Sequence, residues 1–139
     1  GYYRMKRFKL VKEIGEKLKP TKQPIEVLEQ LAKMEDPVCS RELRFVHGKI
    51  IRKVTGKMFD HQEAYMMLRR WFSEKGINWD RVPGELQSYS VLWGAFRVII
   101  NYGGIPRPGE IEDAVKKHFK GTDKLKKKVV ELLRCFYVH

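Results

Sequence analysis

The sequence predicts an all-α protein: a helical bundle of about six to seven helices, the last two of which form a helix–turn–helix-like pair. Two observations favour this fold class. Apolar residues recur every three or four positions through most of the chain, the period of an amphipathic helix, and no convincing strand or hairpin pattern interrupts them. Proline, glycine and polar clusters break the pattern at several points, as loops do.

The first three predicted helices lie in residues 1–57. A stripe of Met5, Phe8, Val11, Ile14 and Leu18 predicts an amphipathic helix over residues 4–17. Pro20 ends this helix, and Pro24 suits the first turn of a short second helix. Ser40 is predicted to cap the third helix and Gly56 to end it.

A fourth helix is predicted from a capping box formed by Asp60 and Glu63. It runs to about Lys75, and its inner face holds Ala64, Leu68 and Trp71, with Phe72 alongside. Residues 76–88 then form a long connection that contains Trp79. This tryptophan either packs on the core as a loop anchor or stacks against a sugar-phosphate backbone.

The fifth predicted helix, residues 89–102, is apolar almost all round and therefore belongs at the centre of the bundle. We expect Leu92, Phe96 and Ile99 to be fully buried there. Gly103 and Gly104 end this helix. A short helix over residues 110–119, a tight break at 120–123 and a last helix over 124–137 complete the chain.

The charge of the chain is strongly positive. Its 139 residues include 29 Lys and Arg against 17 Asp and Glu, a net charge of +12. Residues 116–128 alone hold seven lysines and one aspartate, and residues 1–57 hold fifteen basic and seven acidic residues. Such a balance attracts polyanions, whether nucleic acid, an anionic membrane or an acidic protein surface.

The pattern of reactive side chains predicts no enzyme, no metal site, no cofactor and no small-molecule substrate. The histidines and cysteines are scattered, without metal-ligand spacing: they are His47, His61, His118, His139, Cys39 and Cys135. No phosphate-binding glycine loop and no nucleophile beside a base is recognisable. No apolar run approaches the ~20 residues that span a bilayer, so no membrane partner is expected.

The last predicted helix has an apolar inner stripe and a basic outer face. The stripe consists of Leu125, Val129, Leu132, Leu133 and Phe136. Lys124, Lys127 and Arg134 point outward. Helix–turn–helix proteins present their recognition helix in this way, although a solvated lysine face that binds nothing has the same pattern. The basic residues of 1–57 form either an accessory phosphate-binding surface or a face for an acidic protein partner.

The spacing from residue 68 to residue 136 resembles that of the AT-rich interaction domain, a helical DNA-binding family. The residues that match the family's spacing are Leu68, Trp71, Gly76, Pro83, Leu92, Trp93, Phe96, Ile99, Gly103-Gly104, Leu125-Lys126, Val129, Leu133 and Phe136. The sequence departs from the family in having Ser90-Val91 where the family has Leu-Asp, and Glu112 where it has a tryptophan.

The resemblance implies that the chain binds duplex DNA. The loop before the final helix and the start of that helix would enter the major groove, and the connection 76–88 would touch the flanking backbone. The implied groove contacts are Lys120, Thr122, Lys124, Lys127 and Lys128. The implied backbone contacts are Asn78 and Arg81. A lysine-rich face poor in Asn and Gln favours phosphate contacts over base contacts, and hence weak or no sequence specificity.

We therefore expect a basic helical extension over residues 1–57 and a domain similar to the AT-rich interaction domain over residues 58–139. The expected function is that of a DNA-binding module in a nuclear chromatin or transcription-regulating protein. The alternative is a helical protein-interaction domain that kept the same scaffold and lost DNA binding.

Overall fold

The computed structural model describes residues 2–35 and 42–138, with the backbone alone for residues 2–6. It contains seven α-helices in these ranges: α1 (Tyr2–Lys17), α2 (Pro24–Ala32), α3 (Leu43–Thr55), α4 (His61–Glu74), α5 (Tyr89–Tyr102), α6 (Ile111–His118) and α7 (Asp123–Arg134). Short 3-10 turns lie at Trp79–Arg81, Gly84–Leu86, Pro108–Glu110 and Cys135–Tyr137. No strand occurs in the described ranges. The predicted all-α fold with about seven helices is confirmed.

The chain divides into two compact units, which we call the N-terminal unit (residues 1–67) and the C-terminal unit (residues 68–139). The division falls within α4, which contributes its first seven residues to one unit and its last seven to the other. The boundary predicted from the sequence lies earlier, between residues 57 and 58, in the loop before α4.

In the N-terminal unit, α1 and α2 both pack against α3. The α1 stripe is buried at Val11, Ile14 and Leu18, as its period predicts, but Phe8 is 75% exposed and does not belong to the core. The side chain of Met5 and the proposed cap Ser40 lie outside the described residues, and Glu42 precedes the first turn of α3.

The predicted ends of the N-terminal helices are confirmed where they are described. Pro24 occupies the first turn of α2. Gly56 ends α3 in the left-handed conformation, with φ of 72°, which glycine adopts without a steric penalty. The carboxylate of Asp60 accepts a hydrogen bond from the backbone N–H of Glu63 at 2.9 Å, so this aspartate caps α4.

In the C-terminal unit, α5 is the central helix and packs against both α6 and α7. Leu92 and Phe96 are completely buried and Ile99 is 5% exposed, as expected for a helix without a polar face. On α4, Phe72 is completely buried, whereas Trp71 is only half-buried and meets Phe96 edge-on at 4.9 Å between ring centroids. The sequence predicts Trp71 on the inner face of α4 with Phe72 alongside, whereas Phe72 is the more deeply buried of the two.

No helix in the described parts of the chain is both long enough and apolar enough to cross a membrane.

Candidate nucleic-acid interface

The break between α6 and α7 is anchored to the core by Phe119. This residue ends α6 in an extended conformation, with φ of −129° and ψ of 124°, and its ring is buried. The ring lies so close to Gly121 that a Cβ on that glycine would approach it to 2.8 Å. Because a side chain at position 121 would displace the ring, a glycine there allows the chain to turn directly into α7.

Thr122 is the N-cap of α7. Its hydroxyl oxygen accepts a hydrogen bond from the backbone N–H of Leu125 at 3.1 Å. A threonine at this position satisfies a donor that the first turn of the helix would otherwise leave unpaired. The hydroxyl proton takes no part in this bond and can donate to an anion. The predicted DNA contact at Thr122 is thus compatible with its structural role in capping.

The predicted lysines surround the start of α7. Lys120, Lys124 and Lys127 are exposed, and Lys128 is half-buried. On the inner stripe of α7, Val129, Leu132 and Leu133 are completely buried. The predicted apolar inner stripe and basic outer face of this helix agree with the burial of these residues.

Most of these lysines have no acidic partner. In the part of the chain that the structure describes, no ion pair joins a carboxylate to any of Lys116, Lys117, Lys124, Lys127 and Lys128. Their charges are therefore not neutralised by direct pairing with the described carboxylates. A surface of this kind lowers its own electrostatic repulsion when it meets a polyanion.

Carboxylates nevertheless lie close to one side of the basic surface. Lys126 and Lys127 line a shallow groove between α6 and α7 whose walls also include Glu112, Asp123 and Glu131. Glu112 is engaged at the far end of α7, where it accepts a hydrogen bond from Arg134 at 2.8 Å. Lys124 and Lys128 do not line this groove.

The connection before α5 holds the other two predicted contacts, Asn78 and Arg81. The side-chain oxygen of Asn78 accepts a hydrogen bond from the backbone N–H of Asp80 at 3.1 Å and so caps the first 3-10 turn. The side chains of Asn78 and Arg81 are exposed. Asn78 therefore has a structural task in the turn, and its amide N–H groups remain available to a phosphate.

Trp79 is a loop anchor, one of the two alternatives that the sequence left open. Its indole N–H donates to the backbone oxygen of Arg69 at 3.0 Å, and the guanidinium of Arg69 lies 4.5 Å from the ring centroid. Gln87 accepts a hydrogen bond from the same guanidinium at 2.7 Å and donates to the backbone oxygen of Val82 at 2.8 Å. Sequence reasoning missed this brace, because nothing in the spacing links residues 69, 79 and 87.

The two groups of predicted contacts belong to different regions of the C-terminal unit. The ring of Trp79 lies 6.1 Å from that of Phe72, which lies 5.8 Å from that of Phe136. Phe136 follows the C-terminal end of α7, whereas Thr122 precedes its first turn, ~20 Å away along a helix that rises 1.5 Å per residue. Contacts from both groups to one duplex would therefore fall on separate phosphates.

Among the residues that the structure describes, no three His, Cys, Asp or Glu side chains come together as metal ligands. Cys135 is half-buried at the end of α7, and burial raises the pKa of its thiol, with a smaller contribution from the negative charge of Glu131. Cys39 lies outside the described residues.

Comparison with known proteins finds no matching family model, no matching curated protein and no matching solved structure. The resemblance to the AT-rich interaction domain therefore stays a prediction.

Proposed function

We propose that this chain is a duplex DNA-binding module of a nuclear chromatin or transcription-regulating protein. The observation that carries the proposal is the group of seven lysines in residues 116–128, which surround a capped helix start and are accompanied by a single aspartate. Lys124 and Lys128 do not line the carboxylate-lined groove. Of the predicted lysine contacts, Lys120, Lys124 and Lys127 are exposed and are the residues best placed to meet phosphates.

The contacts would be mainly electrostatic. A lysine ammonium is a compact point charge that suits phosphate oxygens, whereas bidentate recognition of a base edge uses Arg, Asn or Gln. Asn78 and Arg81, in the braced turn at 79–81, would add backbone contacts at a separate place on the duplex. Binding of this kind is weakly specific or non-specific in sequence and strongly dependent on salt.

The second candidate is a helical protein-interaction domain that has lost DNA binding. The carboxylates of Glu112, Asp123 and Glu131 favour it, because they line the same groove as Lys126 and Lys127 and would oppose the approach of a phosphate backbone on that side. A groove of mixed charge suits a protein partner better than a polyanion.

A gel-shift titration separates the two candidates. Wild-type protein is titrated against duplex DNA, single-stranded DNA and RNA of equal length at two salt concentrations. The DNA-binding proposal expects a shift with duplex DNA that weakens steeply at the higher salt. No shift with any of the three at the lower salt would favour the protein-interaction domain.

A further inference from the structure

A second basic surface lies in the N-terminal unit, where α1 packs against α3. A groove between these helices, which we call the α1–α3 groove, is lined by Phe8, Val11, Lys12, Lys49, Arg52 and Lys53. Four of the six residues are cationic and none is acidic. In the described part of the chain, none of these four cations forms an ion pair with a carboxylate.

The groove also exposes apolar side chains to an unusual degree. Phe8 is 75% exposed and Met58 is 78% exposed, the highest values among the large apolar residues of the described chain. Phe8 lines the groove; Met58 does not, but it lies next to one of the groove's cations, since a guanidinium nitrogen of Arg52 donates to its sulfur at 3.6 Å. Exposed apolar residues that are grouped, rather than scattered, mark interaction surfaces.

The packing of the two helices fixes one side of the groove. The side chain of Lys53 runs across α1 at Gly15, where a Cβ on the glycine would lie 3.0 Å from Cδ of Lys53. The methylene groups of this lysine therefore cover the helix backbone, while its ammonium group reaches solvent. Val11 is buried at the floor, next to the exposed ring of Phe8.

We infer that the α1–α3 groove is a docking site for an acidic amphipathic segment of a partner protein. Such a segment would place one or two large apolar side chains against Phe8, Val11 and Met58, and would direct its carboxylates toward the four cations. An amphipathic helix laid into a groove between two helices is a common mode of peptide recognition. Methionine suits such a surface because its flexible side chain adapts to the apolar partner.

A protein segment fits these residues better than a nucleic-acid strand does. A strand could use the cations and stack a base on Phe8, but it would leave Val11 and Met58 against polar sugars and phosphates. A membrane surface would need a broad apolar face, whereas the groove is narrow and bordered by charge on both helices. This inference does not rest on the DNA-binding function proposed for α7, since it concerns the other unit.

Fluorescence anisotropy on the full chain tests the inference. The probe is a fluorescein-labelled helical peptide of about 15 residues, made of Glu, Ala and Leu, with the leucines at i, i+3, i+4 and i+7. A second peptide carries Gln in place of every Glu. The acidic peptide is expected to bind wild-type protein with a dissociation constant below about 1 mM, and the Gln peptide to bind about tenfold more weakly or not at all.

Two variants locate the binding site. Phe8→Ala removes the exposed ring, and the double variant Lys12→Glu with Lys49→Glu reverses two of the four charges. Each is expected to weaken binding of the acidic peptide by about tenfold or more. The matched control is Lys19→Glu with Lys33→Glu, which makes the same charge change at exposed positions that do not line the groove. Circular dichroism of every variant checks that the helices are intact.

The inference is overturned if wild-type protein does not bind the acidic peptide below about 1 mM. It is equally overturned if the control weakens binding as much as the groove variants do, or if Phe8→Ala has no effect. Single-stranded DNA and vesicles of phosphatidylserine and phosphatidylcholine are run in parallel. Should Phe8→Ala and the Lys12/Lys49 variant reduce binding of one of these and leave peptide binding unchanged, the groove binds nucleic acid or lipid instead.

Discussion

Gly94 and Val129 meet where α5 crosses α7: a Cβ on Gly94 would lie 2.7 Å from Cγ2 of Val129 and 3.1 Å from the ring of Phe119. The absence of a side chain at Gly94 lets the central helix approach both α7 and the residue that anchors the break before it. The position of the basic helix start therefore depends on a glycine in the middle of α5.

The first prediction concerns this crossing. Gly94→Ala should destabilise the protein by ~1–3 kcal/mol, because overpacking outweighs the better helix propensity of alanine. Urea unfolding followed by circular dichroism measures the effect. Gly109→Ala is the control, since a Cβ there meets nothing within 4 Å, and its effect should stay within ~0.5 kcal/mol. If the two variants had equal free energies of unfolding, α5 and α7 could move apart at Gly94 without a loss of stability, which would contradict the prediction.

The second prediction concerns the core of the C-terminal unit. Phe96 is completely buried, so Phe96→Ala should cost ~3–5 kcal/mol through the lost transfer energy and the cavity left behind. The same substitution at Phe8, which is 75% exposed, should change the free energy of unfolding by less than ~0.5 kcal/mol. Thermal and urea denaturation of both variants make the comparison. A Phe96→Ala protein that melts with the wild type contradicts the assignment of the core.

The sequence was enough to predict the burial of Phe96, but not the exposure of Phe8 or the close approach of two helices at Gly94. The composition of α5 was enough to identify Phe96 as buried, because a helix that is apolar almost all round normally lies at the centre of a bundle. The outward turn of Phe8 was not predictable. Its spacing fits the stripe of α1, but Phe8 remains exposed although α1 packs against α3. The close approach at Gly94 depends on which helix crosses there, and a single sequence does not encode that in any local pattern.

The candidate site likewise has features that the sequence predicts and features that it does not. The basic outer face and the apolar inner stripe of α7 followed directly from helical geometry, and Thr122 precedes the helix as an N-cap residue does. Glu131 stands four residues after Lys127 on the same helix, so helical spacing alone puts it beside that lysine. Glu112 was not predicted there, because it belongs to α6 and reaches the groove only after α6 packs on α7. The Arg69–Trp79–Gln87 brace was missed for the same reason.

The third prediction tests the capping role of Thr122. Thr122→Ala removes the N-cap and should lower stability by ~1 kcal/mol, whereas Thr122→Ser keeps the hydroxyl and should leave stability nearly unchanged. Urea unfolding measures both. Asp60→Ala, which removes the cap of α4, provides a second measure of the cost of losing a cap in this chain. If Thr122→Ala is as stable as wild type, the hydroxyl does not cap α7 in solution.

The fourth prediction concerns the thiol of Cys135. Burial, and secondarily Glu131, raise its pKa, so the folded protein keeps the thiol protonated to higher pH than the unfolded chain does. The resulting stability is present below the ordinary thiol pKa and is lost as the pH rises through the raised value. Because the thiolate is the nucleophile, alkylation by iodoacetamide should have a higher midpoint pH than that of N-acetylcysteine. The experiment uses a Cys39→Ser background.

Glu131→Gln removes the negative charge but keeps the burial. A smaller rise of the alkylation midpoint in this variant would support the two causes given for the raised pKa of Cys135. A midpoint at or below that of N-acetylcysteine would contradict it.

The most direct test of the DNA-binding proposal is the salt dependence of duplex DNA affinity with Lys124 and Lys127 replaced. Each phosphate contact contributes a slope of roughly −0.9 to the log–log plot of affinity against salt, because condensed counterions are released. Lys124→Ala with Lys127→Ala should weaken binding on every sequence tested and flatten the slope by about two units. Circular dichroism should show an intact fold, because both side chains are exposed and lie opposite the buried stripe of α7.

The matched control, Lys33→Ala with Lys57→Ala, removes the same charge from exposed positions in the N-terminal unit and should leave the slope nearly unchanged. We expect affinity and slope to fall in the Lys124/Lys127 variant and not in the control. A slope and an affinity equal to those of wild type in the Lys124/Lys127 variant would contradict the DNA-binding proposal.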